Sequence, residues 1–113
     1  MAEHITIRHA AGNWTVRVAG AVLGESTNAL ELLEGDYPPV VYFPKTDIAM
    51  AFLEPSDKTS TCPFKGVASY YSIEAKSGTI KDAVWTYEDP IDEAAGIKGY
   101  LAFYGDKVAI EQV

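Results

Sequence analysis

The chain has one cysteine and two histidines in 113 residues, and that scarcity already excludes several chemistries. A lone thiol closes no internal disulfide and builds no Cys-rich zinc site. His4 and His9 are spaced for neither one helical face nor one strand face, so no metal and no cofactor are expected. Basic residues are also few: nine Lys and Arg stand against sixteen Asp and Glu, a formal charge of −7. They are scattered singly, without the basic stripe that a phosphate backbone requires, so no nucleic-acid partner is expected. The acidity reads as a solubility device. No run approaches the ~20 consecutive apolar residues of a membrane span. The amino terminus sets no basic segment ahead of an apolar one, so no leader peptide is read. The expectation is a soluble, cytoplasmic protein with no membrane partner.

What is present fits one domain spanning residues 1–113: hydrophobic content is 48% and charged content 22%. A chain of this length buries enough surface for one core without covalent staples. The pattern is short strands and turns. Ile5 and Ile7 alternate with polar neighbours, and Trp14, Val16 and Val18 mark a second strand. Ala19-Gly20 reads as a tight hairpin turn into a returning strand over 21–25. Residues 28–34 fit either a strand or a helical turn. Val40-Val41-Tyr42-Phe43, stopped by Pro44, is the clearest strand and is apolar on both faces. Asp47 is expected to cap one helical turn. Residues 54–58 are expected to form a polar turn. Strands follow over 68–74 and 83–87. Residues 91–98 are the best helical candidate, and 100–104 with 107–112 are expected to form a last hairpin across Gly105-Asp106. The sum is a mainly β domain of roughly eight strands, as a sandwich or a bent pair of antiparallel sheets, with at most one short helix.

The densest stretch chemically is Thr61-Cys62-Pro63-Phe64-Lys65-Gly66, followed by Ala68-Ser69-Tyr70-Tyr71-Ser72. A nucleophilic cysteine needs a neighbouring cation or histidine to lower its pKa, and a turn through Pro63 and Gly66 can bring Lys65 back toward Cys62. The bland alternative is a small buried thiol. Lys65 reads as a charged anchor for a carboxylate or phosphate, or as a solvated loop lysine. Twelve of the thirteen aromatics lie from Tyr37 onward. Trp85 and Tyr87 share one strand face, and residues with a polar handle suit a pocket wall as well as a core. Glu88 and Asp89 point to opposite strand faces and do not make an acid–base pair. Asp89 before Pro90 reads as a turn former, and Glu88 as a partner for Lys65 across the pocket.

With these motifs the sequence resembles the domain of unknown function 427 family, small proteins common in bacteria and also found in fungi. The shared pattern runs through Val16-Arg17-Val18, Gly20, Ser26, Leu30 and Glu34, then Tyr42-Phe43-Pro44 and Asp47. It continues with the Thr-Cys-Pro-Phe-Lys-Gly run, Ala68, Tyr70 and Tyr71. It closes with Trp85-Thr86-Tyr87-Glu88-Asp89-Pro90 and Gly99-Tyr100-Leu101-Ala102-Phe103-Tyr104. The resemblance implies a β-tent, Mss4-like fold, in which two sheets meet at one edge. Many members of that fold group bind zinc through four cysteines, which this chain does not have. The nucleotidyltransferase-like label sometimes given to the family implies a Gly-Ser element with a carboxylate pair for magnesium. The one candidate, Gly24-Glu25-Ser26 with Glu34 and Asp36, lacks the Asp-x-Asp spacing and a phosphate cradle.

The leading expectation is a small domain that binds a small molecule or a protein in an aromatic-lined pocket. Phe64, Tyr70, Trp85 and Tyr87 would form the walls, with Lys65 as anchor. The second is an enzyme that uses Cys62 as nucleophile or redox centre with Lys65 assisting. The third is an assembly protein without a ligand. The oligomeric state is open at this point.

Overall fold

Alternation of apolar and polar residues sets the strands. In Trp14–Val18 the buried Val16 and Val18 flank the exposed Arg17, the period-two signature of a half-covered strand. The computed structural model describes residues 4–113, so the leader-peptide reading of residues 1–3 lies outside the described part. Ten strands run in chain order: β1 Ile5–His9, β2 Trp14–Val18, β3 Ala21–Ser26, β4 Leu30–Glu34, β5 Val40–Tyr42, β6 Leu53–Cys62, β7 Gly66–Ala75, β8 Gly78–Thr86, β9 Leu101–Phe103 and β10 Ala109–Gln112. The helical segments are three short 3-10 turns, Lys45–Asp47, Met50–Phe52 and Asp92–Ile97. Among the described residues no helix is long and apolar enough to cross a membrane.

The strands form three antiparallel sheets, ordered β1-β4-β5, β10-β2-β3 and β6-β7-β8-β9. Two of them are stitched together. Phe43, just past β5, exchanges reciprocal backbone hydrogen bonds with Leu101 of β9, at 2.7 and 2.8 Å. The first and last sheets therefore follow one another through a single bridge, and β10-β2-β3 packs as a separate layer. The expected pair of sheets is thus three sheets, two of them joined through this bridge. Phe43 and Phe103 meet edge to face at 5.8 Å in the core beneath this junction, with Val16, Ile73, Val84 and Leu101 around them. A second core cluster, including Leu32, Tyr42, Tyr70, Tyr87 and Ala102, fills the other side. β9 serves both, with Leu101 and Phe103 facing one cluster and Ala102 the other.

Local chemistry placed most turns correctly. Ala19 and Gly20 join β2 to β3 with φ of 49° and 83°, the doubly positive geometry of the favoured two-residue hairpin. Of the ambiguous segment 28–34, residues Leu30–Glu34 form strand β4. Three expectations are corrected. Residues 100–104 and 107–112 form no hairpin: β9 pairs with β8 and β10 pairs with β2. The reason is edge occupancy, because β9 is held by β8 on one side and by Phe43 on the other. Residues 54–58 are not a turn but part of the long β6, whose register shifts between Pro55 and Thr59. β6 is a sheet edge, where a bulge, a proline and charges are tolerated and block further pairing. Asp47 caps no helix; its carboxylate accepts a 2.7 Å hydrogen bond from Ser26 Oγ and ties the Lys45–Asp47 turn to the end of β3.

Candidate functional site

The candidate site starts at the turn between β6 and β7. Cys62 and Gly66 are the last ladder pair, and Pro63, Phe64 and Lys65 close the turn, with the Lys65 N–H donating to the Cys62 carbonyl at 3.1 Å. Gly66 has φ +116°, a conformation that a residue with a Cβ adopts only under strain. The segment after β8 locks this turn from outside. Ile91 N–H donates to the Lys65 carbonyl at 3.0 Å, and the backbone of Asp89, Pro90 and Ile91 packs against Gly66.

Held this way, Lys65 reaches the end of β4, where its ammonium donates to the Glu34 carboxylate. Both side chains of this ion pair are only 13% exposed. Burial works to lower the Lys65 pKa, but the hydrogen bond that Lys65 donates to Glu34 and the adjacent Cys62 outweigh it and hold the ammonium above its ordinary value. The pair forms one wall of a cavity of about 200 Å³.

Aromatic side chains from four strand regions make the other walls. Tyr70 of β7 and Trp85 of β8 are cross-strand partners, so they stand side by side on one face. Tyr87 follows just beyond β8, Tyr42 comes from β5, and Tyr104 follows β9. Trp85 organises them. Its Nε1–H donates to the Tyr42 hydroxyl at 3.2 Å, its ring meets Tyr42 edge to face at 6.3 Å, and it lies 4.6 Å from the Tyr104 ring. Such aromatic pairs add roughly 0.5–1.5 kcal/mol beyond burial. The Tyr70 hydroxyl lies 2.8 Å from Ser60 Oγ. Tyr37 and Pro38 form the rim, and Leu32 and Val40 complete the apolar floor.

The hydroxyls are held in the neutral form. Burial pushes Tyr42 and Tyr87 well above the ordinary tyrosine range. Tyr104 is pushed up to about 12, by the neighbouring Tyr70 hydroxyl first and by burial second. Two further lysines approach these rings: Lys58 Nζ is 4.6 Å from the centre of the Tyr70 ring, and Lys107 Nζ is 5.8 Å from that of Tyr104.

Of the residues singled out from sequence, Lys65, Tyr70, Trp85 and Tyr87 line this one cavity. Phe64 is half-buried in the turn and does not line it, and Cys62 is half-buried behind Lys65, its thiol beside the ammonium. Glu88 does not meet Lys65; it pairs with Lys45 at 3.1 Å. Glu34, Tyr42 and Tyr104 were not among the expected site residues. Tyr42 and Tyr104 stood in the family pattern as unassigned aromatics, and Glu34 was weighed only as a magnesium carboxylate with Asp36.

Three shallower hollows are larger; one, of about 500 Å³, lies between the β2–β3 turn and residues 105–109, and two are lined by large apolar side chains. One, of about 400 Å³, lies between the β2–β3 turn and β7 and exposes Val22 and Phe52. The other, of about 510 Å³, runs from Trp14 to the back of Trp85 and Tyr104. Neither carries a buried ion pair among the described residues. Nor do three or more His, Cys, Asp or Glu side chains among the described residues gather as a metal-binding group. Residues 6–113 match the family described as a domain of unknown function (DUF427). No curated protein matches the chain.

Proposed function

This chain belongs to the DUF427 family, and from that premise we propose that it is a small-ligand-binding domain whose site is the Lys65–Glu34 cavity. One observation carries the reading: a part-buried ion pair, each side chain 13% exposed, faces a concave space walled by Trp85 and five tyrosines. A buried ion pair adds little to stability over apolar residues of the same volume. Apolar walls with a few convergent polar groups are instead the usual make-up of a ligand pocket. The tent-like, Mss4-like arrangement belongs to the same proposal, with the Phe43–Leu101 bridge as its ridge. So does a cytoplasmic setting, which suits a single free thiol.

The chain has two tryptophans, Trp14 and Trp85, so its indole N–H signals in a nitrogen–proton correlation spectrum are two. A fragment library screened by these signals yields, on this reading, hits that move the Trp85 signal and weaken in Tyr87→Ala. Hits confined to Trp14, or indifferent to Tyr87→Ala, place the site elsewhere.

A second reading rests on Cys62 and Lys65 sharing the β6–β7 turn, an arrangement that supports a cysteine nucleophile or redox centre. Its test is the rate of native-state alkylation. A thiol that reacts fast at neutral pH, and slows in Lys65→Met, supports the enzyme; an inert thiol removes it.

A further inference from the structure

The charges around the cavity define the class of molecule it takes, an inference that rests on the binding reading above. Lys65 is not a free anchor. Its charge is matched by Glu34 at the same depth, so the polar wall carries no net charge. An organic anion entering here meets the Glu34 carboxylate beside the ammonium, on a chain whose formal charge is −7. Its desolvation is then uncompensated.

Aromatic walls ordinarily favour cations through their ring faces. Here the chain's own cations already stand at two of those rings, Lys58 over Tyr70 and Lys107 near Tyr104, and Lys65 lines the interior. A ligand cation would add a positive charge near Lys58 and Lys107, while the Lys65–Glu34 pair adds no net charge to attract it.

What stays open is hydrogen bonding in both senses. The Lys65 ammonium carries three N–H groups, of which Glu34 engages one. The Tyr42 hydroxyl accepts from Trp85 and keeps its own hydrogen to donate. Glu34 bonds Lys65 through one carboxylate oxygen, which leaves the second as an acceptor. The volume of about 200 Å³ lies below the ~300–1,000 Å³ of sites for drug-sized molecules and suits a single substituted ring.

We propose that this cavity binds a small uncharged ring that both donates and accepts hydrogen bonds, and that it rejects organic anions and cations of the same shape. The probes are benzamide, benzoate and benzamidinium, which share one ring and differ in charge. Each is titrated into the labelled full chain at neutral pH, with the Trp85 indole signal as readout. Benzamide is expected to move that signal with an affinity at least about tenfold above the other two, one step of ~1.4 kcal/mol. Benzoate or benzamidinium binding as tightly as benzamide overturns the charge class while leaving the cavity as a binding site. No response of Trp85 to any of the three overturns both.

The charge variants sharpen the test. Glu34→Gln unmasks Lys65 and is expected to move the preference to benzoate. Lys65→Gln unmasks Glu34 and is expected to move it to benzamidinium. An unchanged order in variants that keep the native spectrum overturns the proposal, and if either variant fails to fold, the wild-type order alone decides.

Discussion

Removing Lys65 alone is expected to destabilise the fold more than removing Lys65 and Glu34 together. Read from sequence, Lys65 is a loop lysine whose loss takes away a charge and a stem. In the fold it neutralises a carboxylate that is only 13% exposed. Lys65→Met leaves that carboxylate buried and unpaired, and Glu34→Leu does the same to the ammonium. Breaking one side of a buried pair costs ~3–5 kcal/mol, and the bordering cavity admits some solvent, so about 3 kcal/mol is expected for each single variant. At roughly 4 °C per kcal/mol for a chain of this size, each single variant melts about 12 °C lower. The double variant Glu34→Leu/Lys65→Met buries no charge and fills the wall with apolar volume, so it melts within a few degrees of the parent. Urea unfolding of all four proteins at neutral pH gives the coupling energy, expected at about 5–6 kcal/mol because each single variant costs about 3 kcal/mol and the double almost nothing. Additive effects within about 0.5 kcal/mol would show that the pair is solvated and that its burial plays no part.

Alkali is expected to unfold the protein steeply. Tyr42, Tyr87, Tyr104 and Lys65 all hold protons above their ordinary pKa, so above roughly pH 10 the native state binds more protons than the unfolded chain and stability falls as pH rises. Tyr42 and Tyr87, 1% and 5% exposed, together contribute a loss of about 3 kcal/mol per pH unit once the unfolded chain has ionised. A melting temperature unchanged between pH 9 and 11, or a slope identical in Tyr87→Phe, would contradict this. Gly66→Val is expected to cost about 1–3 kcal/mol through its positive φ, because the space for a Cβ is ordinary contact at 3.5 Å; a stability equal to the parent by urea unfolding would refute it. Ala19 adopts φ 49° without being glycine, so Ala19→Asn is expected to raise stability by about 1 kcal/mol, and a lower melting temperature would refute the turn assignment.

The parts of the fold that were legible in the sequence are those written locally. The Ala19-Gly20 turn and the apolar run of β5 announce themselves through turn chemistry and β-branched composition. The fate of β9 and β10 is not local. Gly105-Asp106 looks like a hairpin turn, but whether two strands pair depends on which edges are free, and Phe43 had already taken the open edge of β9. The polar run in β6 misled for a related reason, because an edge strand carries charges that a central strand does not.

The site divides along the same line. Lys65, Tyr70, Trp85 and Tyr87 lie on neighbouring strands joined by short turns, so strand-face arithmetic brings them together. Glu34 and Tyr42 reach the cavity only through the Phe43–Leu101 bridge, which no spacing along the chain reveals. Glu88 was the expected partner for Lys65, but only the fold reveals that Lys65 meets Glu34 and that Lys45 takes Glu88.

The most direct test of the central claim is chemical-shift mapping of the whole labelled chain during a benzamide titration. The account predicts shifts centred on Lys65, Tyr87 and the Trp85 indole, with the Trp85–Tyr42 hydrogen bond perturbed and the Trp14 indole unmoved. Shifts centred on Val22 and Phe52, or on Trp14, would contradict it and move the site to one of the larger hollows.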